Sequence, residues 1–491
     1  DIQLLLSTLI FNLTINFDVE LLLTTLRVII GVMKTVFFLV LFLPTVLSAT
    51  GPEQVHIALG KDVSTMVINW VTQEPAGTPR VWYGPQSLNL MQDGTTVDFE
   101  YNGVHKYMHT VTLTNLLPAT LYYYKVGSIT TWSQQFEFKT FPSGNNFQFR
   151  FCVFGDLGYL NGTSLPFLIN AAQRGDFDMV VHVGDIAYDL HTDNGERGDL
   201  YMQELEGLAS RVPYMVVAGN HEDDGKNFSH YQNRFKMPGY DNQFYSFDVG
   251  PVHFVTVSTE YYGYFYEYGH QPVLNQYTWL QNDLQKANNN RKNVPWIVSF
   301  QHRPFYCSND NSYECRAFEN SLVRIGYEEM PGLEPIFSKY NMDLGFWGHE
   351  HSYERFLPVN NRTAYNNSVN PYHNAPAPSY IISGSAGCHT PKASFGAPNP
   401  ASAFRSDDFG YSLITVYNHT HVNIQQISVE QGKAIDEIWM IKDPGYIMSS
   451  QGIKGIQFPP KEFGVKCSFR DTTCRRQADK FRSIRSGGFV P

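Results

Sequence analysis

The chain has 491 residues, of which 43% are hydrophobic and 17% charged, with a formal net charge of −10. That length gives room for two or more domains, each with a sizeable core. The acidic balance offers no basic face to phosphate backbones, so nucleic acid is not an expected partner.

Residues 1–32 are apolar without a clear plan, and MKTVFFLVLFLPTVLSATG begins at Met33. One lysine, an apolar stretch and the small residues Ser48 and Ala49 predict a signal peptide over 33–48. On that reading translation starts at Met33, residues 1–32 are a gene-model extension, and no stable membrane span remains after cleavage. The competing reading is a membrane anchor over LLLTTLRVIIGVMKTVFFLVLFL, which Arg27 and Lys34 interrupt.

A secretory route predicts glycans and disulfides. Asn-x-Ser/Thr sequons stand at Asn161, Asn227, Asn361, Asn366 and Asn418. Asn418, in VYNHTHV, reads as an exposed hairpin turn. The six cysteines leave the connectivity open. Cys307/Cys315 and Cys467/Cys474 are the cheapest pairs to close. Cys152 sits in an apolar run and reads as a buried thiol. Whether export ends outside the cell or in a lysosome stays open.

Residues 49–143 read as all-β. VSTMVINWVTQ, TPRVWYG, YMHTVTLTNL, TLYYYKVGS and QQFEFKT are short alternating strands with turns between them. Their order resembles a fibronectin type III-like sandwich. FPSGNN, residues 141–146, reads as a linker.

From 147 to 441 apolar strands alternate with helical stretches, the pattern of an α/β domain. FQFRFCVFGD, MVVHVGD and VPYMVVAGN are strands, with helices in SLPFLINAAQRG and GDLYMQELEGLAS. A hairpin (YSFDVGPVHFVTVS), a helix (QYTWLQNDLQKANNN) and the strands WIVSFQH and DLGFWGHEH follow. Three more strand-like runs lie between 379 and 441, and residues 442–491 read as a surface tail.

Ligands of α/β sheets bind at the carboxyl ends of the strands. Here five strand ends carry metal-ligand side chains: Asp156, Asp185, Asn220 with His221, His302, and His349 with His351. Any one alone reads as a turn residue or a satisfied histidine. Five in register, at about one βαβ unit between the first three, read as a metal centre. Gly155, Gly184, Gly219 and Gly348 each precede a ligand candidate and are expected to turn the backbone sharply there and to leave room beside a metal. Seven protein ligands are too many for one ion, and a shared carboxylate solves the count. One ion takes Asp156, Tyr188 and His351, the other takes Asn220, His302 and His349, and Asp185 bridges. That is a two-metal hydrolytic site, in which a bridging hydroxide attacks.

The set GD (155–156), GDIAY (184–188), GNHE (219–222), QH (301–302) and GHEH (348–351) resembles the calcineurin-like metallophosphoesterases. Tyr188 and the preceding sandwich narrow the resemblance to the large purple acid phosphatases, in their secreted animal form. It runs from about residue 52 to about 440. It implies two mixed sheets between helix layers, an Fe(III) on the Tyr188 side and a divalent Fe, Zn or Mn on the other.

The chemistry agrees. A trivalent and a divalent ion against two carboxylates and a tyrosinate leave a positive site, suited to a phosphate monoester. A phenol titrates near pH 10 in water, so only a strongly Lewis-acidic ion would hold Tyr188 deprotonated in acid. The expected enzyme is a secreted acid phosphatase, a phosphoric monoester hydrolase. By resemblance His221 lies at the substrate and holds the phosphate or protonates the leaving oxygen; the bland alternative is a structural hydrogen bond.

The chain departs from plant members past His302. RPFYCSNDNSYEC has Asn311 and Ser312 where they carry further histidines, so the second general acid is open. Arg303 and Tyr306 could substitute, although a salt pair or packing explains each more simply. His182 reads as core, and His191, His270 and His389 have no partner pattern. Two rival functions remain: a phosphodiesterase on the same metals, and a binding protein with a dead site. The second metal, the substrate and the oligomeric state are not legible.

Overall fold

The structure, a computed structural model, describes residues 51–239, 241–310, 318–366, 368–387, 392 and 394–459. The expected signal peptide, Cys315, Asn311, Ser312, His389 and the Cys467/Cys474 pair lie outside the described residues. No helix among the described residues is long and apolar enough to cross a membrane.

The N-terminal part is a β-sandwich of two four-stranded sheets. One orders Glu53–Leu59, Met66–Thr72, Val104–Leu113 and Thr95–Tyr101, and the other Leu90–Asp93, Arg80–Gly84, Leu121–Gly127 and Phe136–Lys139. All pairings are antiparallel. Strand alternation turns Ile57, Ile68, Val81, Val111 and Tyr124 into the core between the sheets. Tyr122 fixes the corner before its strand, its hydroxyl accepting the Leu117 N–H at 2.9 Å.

The following domain has two mixed sheets. The six-stranded one orders Tyr214–Val217, Met179–Val183, Phe149–Phe154, Gly410–Val416, His421–Ser428 and Lys433–Ile441. Its first three strands are parallel, as right-handed βαβ crossovers require. The seven-stranded one orders Tyr245–Val249, Val252–Thr256, Trp296–Phe300, Leu344–Trp347, Ser379–Ser383, Tyr353–Phe356 and Ser402–Ser406. Its four strands from Val252 to Ser383 are mutually parallel.

The sheets pack face to face through phenylalanines. Phe151 of the first meets Phe254 of the second edge-on at 5.1 Å between ring centroids. At the strand ends the Gly155 N–H donates to the Ser383 carbonyl at 2.7 Å, so the parallel strands of both sheets finish side by side. Helices cover the outer faces. Gln271–Asn289 buries Val273, Gln276, Leu280, Leu284 and Ala287, a stripe at helical spacing. Leu165–Arg174 buries Leu165, Leu168, Ala171 and Ala172 and stops at Gly175, whose φ of 71° suits glycine.

Cys152 is a free, buried thiol. Cys307 is disulfide-bonded, and its partner lies outside the described residues. Asn161, Asn227, Asn361 and Asn366 are exposed. Asn418 corrects the expectation of full exposure. The hairpin is present, but Asn418 is half-buried. Its Oδ1 accepts from the N–H and hydroxyl of Thr420, each at 2.8 Å, and its carbonyl accepts the Trp296 indole N–H at 3.2 Å. Of the C-terminal stretch, Ile456–Gln457 pairs with Thr363–Ala364, and Phe458 is buried.

Candidate metal centre

Each candidate ligand on a strand end sits two or three residues past a parallel strand. Asp156 and Asp185 follow Phe149–Phe154 and Met179–Val183; Asn220 follows Tyr214–Val217. His302 and His349 follow Trp296–Phe300 and Leu344–Trp347 in the other sheet. The two sheets deliver them to one place because both run their parallel strands toward it.

Two groups of donor atoms form. In one, His302 Nε2 lies 3.1 Å from Asn220 Oδ1, 3.3 Å from Asp185 Oδ1 and 3.3 Å from His349 Nδ1. His349 Nδ1 is itself 3.0 Å from Asn220 Oδ1. One ligand atom each from Asp185, His302 and His349 lie within 4.8 Å of one another. In the other group, the Tyr188 hydroxyl lies 2.7 Å from His351 Nε2 and 3.5 Å from Asp156 Oδ1. His351 Nε2 is 3.5 Å from the same Asp156 oxygen. The seven candidate side chains thus gather in two groups of donor atoms, with Asp185 on the His302 side.

The donor chemistry fits metal ions. His302 Nδ1 faces the Val183 carbonyl at 2.8 Å, so that nitrogen is the N–H and Nε2 is left facing the cluster. There it meets two oxygen acceptors and a second imidazole nitrogen. Burial disfavours a charge on His302, yet the Asp185 carboxylate outweighs it and raises the imidazole to about 10. Burial, reinforced by Arg303 and His302, pushes His349 well below its ordinary range. Against burial, His302 and His221 hold the Asp185 carboxyl well below its ordinary range. Two imidazoles, a carboxylate and an amide oxygen thus converge on one point. A metal ion in that place satisfies the same atoms at once.

The glycines leave the room expected of them but make few of the turns. Of Gly155, Gly184, Gly219 and Gly348, only Gly184 has a positive φ, of 89°. The ligands themselves take the left-handed turns: Asp156 at 59°, Asp185 and Tyr188 at 52°, His349 at 70°. Such backbone costs free energy and gathers at functional sites. The glycines supply space. A Cβ on Gly219 would overlap Asp185 Oδ1, and one on Gly184 would overlap His302 Nδ1.

His221 lies at the rim, with its ring 4.6 Å from the Tyr188 ring. Its Nδ1 pairs with Asp189 Oδ1 at 2.8 Å. Burial opposes a charge on it, but Asp185 and Asp189 raise it to about 9. Neither Asp189 nor Glu222 was identified from sequence as a site residue. Glu222 stands inside GNHE and Asp189 directly follows GDIAY, so position was the available signal. Glu222 is buried and accepts the N–H groups of Gly219, Asp185 and Ile186 at 2.7, 2.8 and 2.9 Å.

The simpler readings hold for the remaining candidates. Arg303 makes a buried ion pair with Glu260 at 2.9 Å, and the Tyr306 hydroxyl bonds Glu334. His182 is fully buried beside the Tyr214 hydroxyl. His270 pairs with Glu329, and His191 is half-buried, 6.5 Å from the Tyr101 ring.

Two mixed sheets that aim this donor set at one point define a metallophosphoesterase. The comparisons agree. Residues 52–140 match the purple acid phosphatase N-terminal domain, 149–353 match calcineurin-like phosphoesterase, and 377–437 match iron/zinc purple acid phosphatase-like protein C. Acid phosphatase type 7 of Homo sapiens is 43% identical over 408 residues, covering 80% of this chain and 92% of its own length. Purple acid phosphatase of Glycine max is 31% identical over 418 residues, covering 79% and 85%. A solved purple acid phosphatase from yellow lupin seeds shares the fold, with a TM-score of 0.70 at 24% identity, over 81% of this chain and 75% of that one. The chain belongs to the purple acid phosphatase family and is an acid phosphatase. The family points to a binuclear metal centre.

Proposed function

We propose that this enzyme is secreted and hydrolyses phosphate monoesters in acid at a centre of one Fe(III) and one divalent ion. Asp156, Tyr188 and His351 would hold the iron, Asn220, His302 and His349 the divalent ion, and Asp185 both. The observation that carries this is the division of the donor atoms into two groups, one of which includes a phenol 2.7 Å from an imidazole nitrogen. When bound, the ions supply Lewis acidity and an activated nucleophile for attack on phosphorus.

The chain's own groups do the rest. His221 stands beside the Tyr188 ring and keeps Nδ1 on Asp189, which leaves Nε2 for the ester. From there it can donate a proton to the leaving oxygen. Glu222 fixes the loops of Asp185 and Asn220 against each other. Secretion is supported by four exposed sequons and the disulfide at Cys307.

The deciding experiment is a visible spectrum with metal analysis of the purified enzyme, together with its turnover of a monoester and a diester. A tyrosinate-to-iron charge-transfer band and faster monoester turnover are expected. A colourless, fully active enzyme would overturn the iron assignment. Faster diester turnover would overturn the substrate assignment.

A further inference from the structure

The N-terminal sandwich meets the catalytic domain through the strand Glu53–Leu59, whose Gln54 donates to Asp199 and accepts from Arg234, and through the hairpin formed by Thr95–Tyr101 and Val104–Leu113. It meets it beside the metal centre. Two segments leave the site there. One runs from Tyr188 to the helix Glu196–Ala209, the other from His221 to the helix Ser229–Arg234.

Both segments hold costly backbone. In the first, Tyr188, Asp189, Asp193 and Asn194 have φ of 52°, 74°, 54° and 56°. In the second, Asn227 and Phe228 have φ of 57° and 58°. Residues in such conformations persist only where their surroundings over-determine them.

The hairpin is part of those surroundings. At its tip, Asn102 touches both segments with one side chain. Its Nδ2 donates to Asn194 Oδ1 at 3.1 Å, and its Oδ1 accepts from Lys226 Nζ at 3.0 Å. The same Lys226 ammonium lies 4.0 Å above the Tyr101 ring. Tyr101 also packs edge-on to His230, at 4.4 Å.

Deeper in the hairpin, Lys106 pairs with Asp199 of the first helix. Asp199 in turn pairs with Arg234 of the second helix at 2.8 Å. The three side chains are 5%, 10% and 1% exposed, so solvent screens them little. Arg234 also donates to the Gly195 carbonyl at 2.9 Å, at the end of the first segment.

We propose that the sandwich is a working part of the active site. Through Asn102 and Lys106 it holds the segments after Tyr188 and His221 in register, so that the Asp189–His221 pair faces the centre. Asn102 and Lys106 are positioning residues, and neither touches substrate. The affected reaction rests on the proposed function; the grip itself does not.

The test uses the full chain with Asn102→Ala and Lys106→Met, singly and together. Arg80→Ala is the control, because Arg80 pairs with Asp93 on the other sheet of the sandwich. Amide hydrogen exchange is followed over 188–195 and 221–228, and kcat and KM for p-nitrophenyl phosphate are measured separately. Exchange in both segments is expected to rise about tenfold. The kcat is expected to fall about tenfold with KM little changed. The control is expected to match the wild type in both readouts. Unchanged exchange and kcat in a folded variant would overturn the proposal, as would an Arg80→Ala control with the same losses. Asn102 is exposed, so Asn102→Ala decides the matter if Lys106→Met does not fold. A wild type without phosphatase turnover would instead overturn the functional reading, and exchange alone would then judge the grip.

Discussion

Glu222 holds Asp185 by the backbone: its carboxylate accepts the Asp185 N–H at 2.8 Å. It also accepts those of Ile186 and Gly219, so a side chain from the Asn220 turn fixes the strand end that carries Asp185. Replacing it with alanine leaves three buried donors without a partner. Each orphan costs about 1–3 kcal/mol. Glu222→Ala should lose several kcal/mol of stability and most of its bound metal, as read by urea unfolding and metal analysis. Glu222→Gln retains an acceptor oxygen and should lose less of both.

Tyr188 is the most direct test of the iron. Tyr188→Phe removes the hydroxyl that lies 2.7 Å from His351 Nε2 and leaves the ring. The visible band should vanish while the far-ultraviolet circular dichroism stays the same. A colour that survives the substitution would make the phenol a packing group.

His221 and Asp189 act together in this reading. His221→Ala should lower kcat on the order of 100-fold, the typical contribution of a positioned acid. Asp189→Asn leaves the imidazole in place without its anion and should cost less. Its signature should be a displaced pH profile as well as a lower kcat, since Asp185 and Asp189 together raise His221 to about 9. A profile unchanged in Asp189→Asn would detach the pair from catalysis.

Far from the metals, His253 bears on stability in acid. Its two ring nitrogens face Asp248 at 2.7 Å and Asp283 at 2.9 Å, an arrangement that needs both nitrogens protonated. Burial opposes the charge, but the two carboxylates raise the imidazole to about 9. Its folded pKa lies above its unfolded value of about 6.5. The stabilisation is therefore complete below about pH 6.5 and is lost as pH rises through 9, with a size of about 3 kcal/mol. Melting of wild type and His253→Gln should differ most at pH 5 and converge by pH 10. A constant gap would show packing instead of charge.

Much of this was legible because the fold repeats one simple pattern. An apolar run and a metal-binding side chain mark the end of a parallel strand five times, and in four of them a glycine stands between. Strand alternation likewise exposed the sandwich. What misled was local detail. The glycines were expected both to turn the backbone and to leave room; they leave room, but of the four only Gly184 takes a left-handed turn, and the other such turns fall on the ligand candidates. The turn at Asn418 was expected to stand free, but the indole of Trp296, distant in sequence, bonds its carbonyl.

The sequence by itself determined the two domain types and picked out the seven side chains that gather at the strand ends. It could do so because ligand identity is local: each residue follows its own strand, and the order of strands sets who meets whom. Only the tertiary structure decided what steadies those ligands. The Asp189–His221 pair, the Glu222 carboxylate across two loops and the hold of Asn102 and Lys106 from the other domain are contacts between segments far apart in the chain. No periodicity records them, because a single side chain reaching across a fold leaves no pattern in its neighbours.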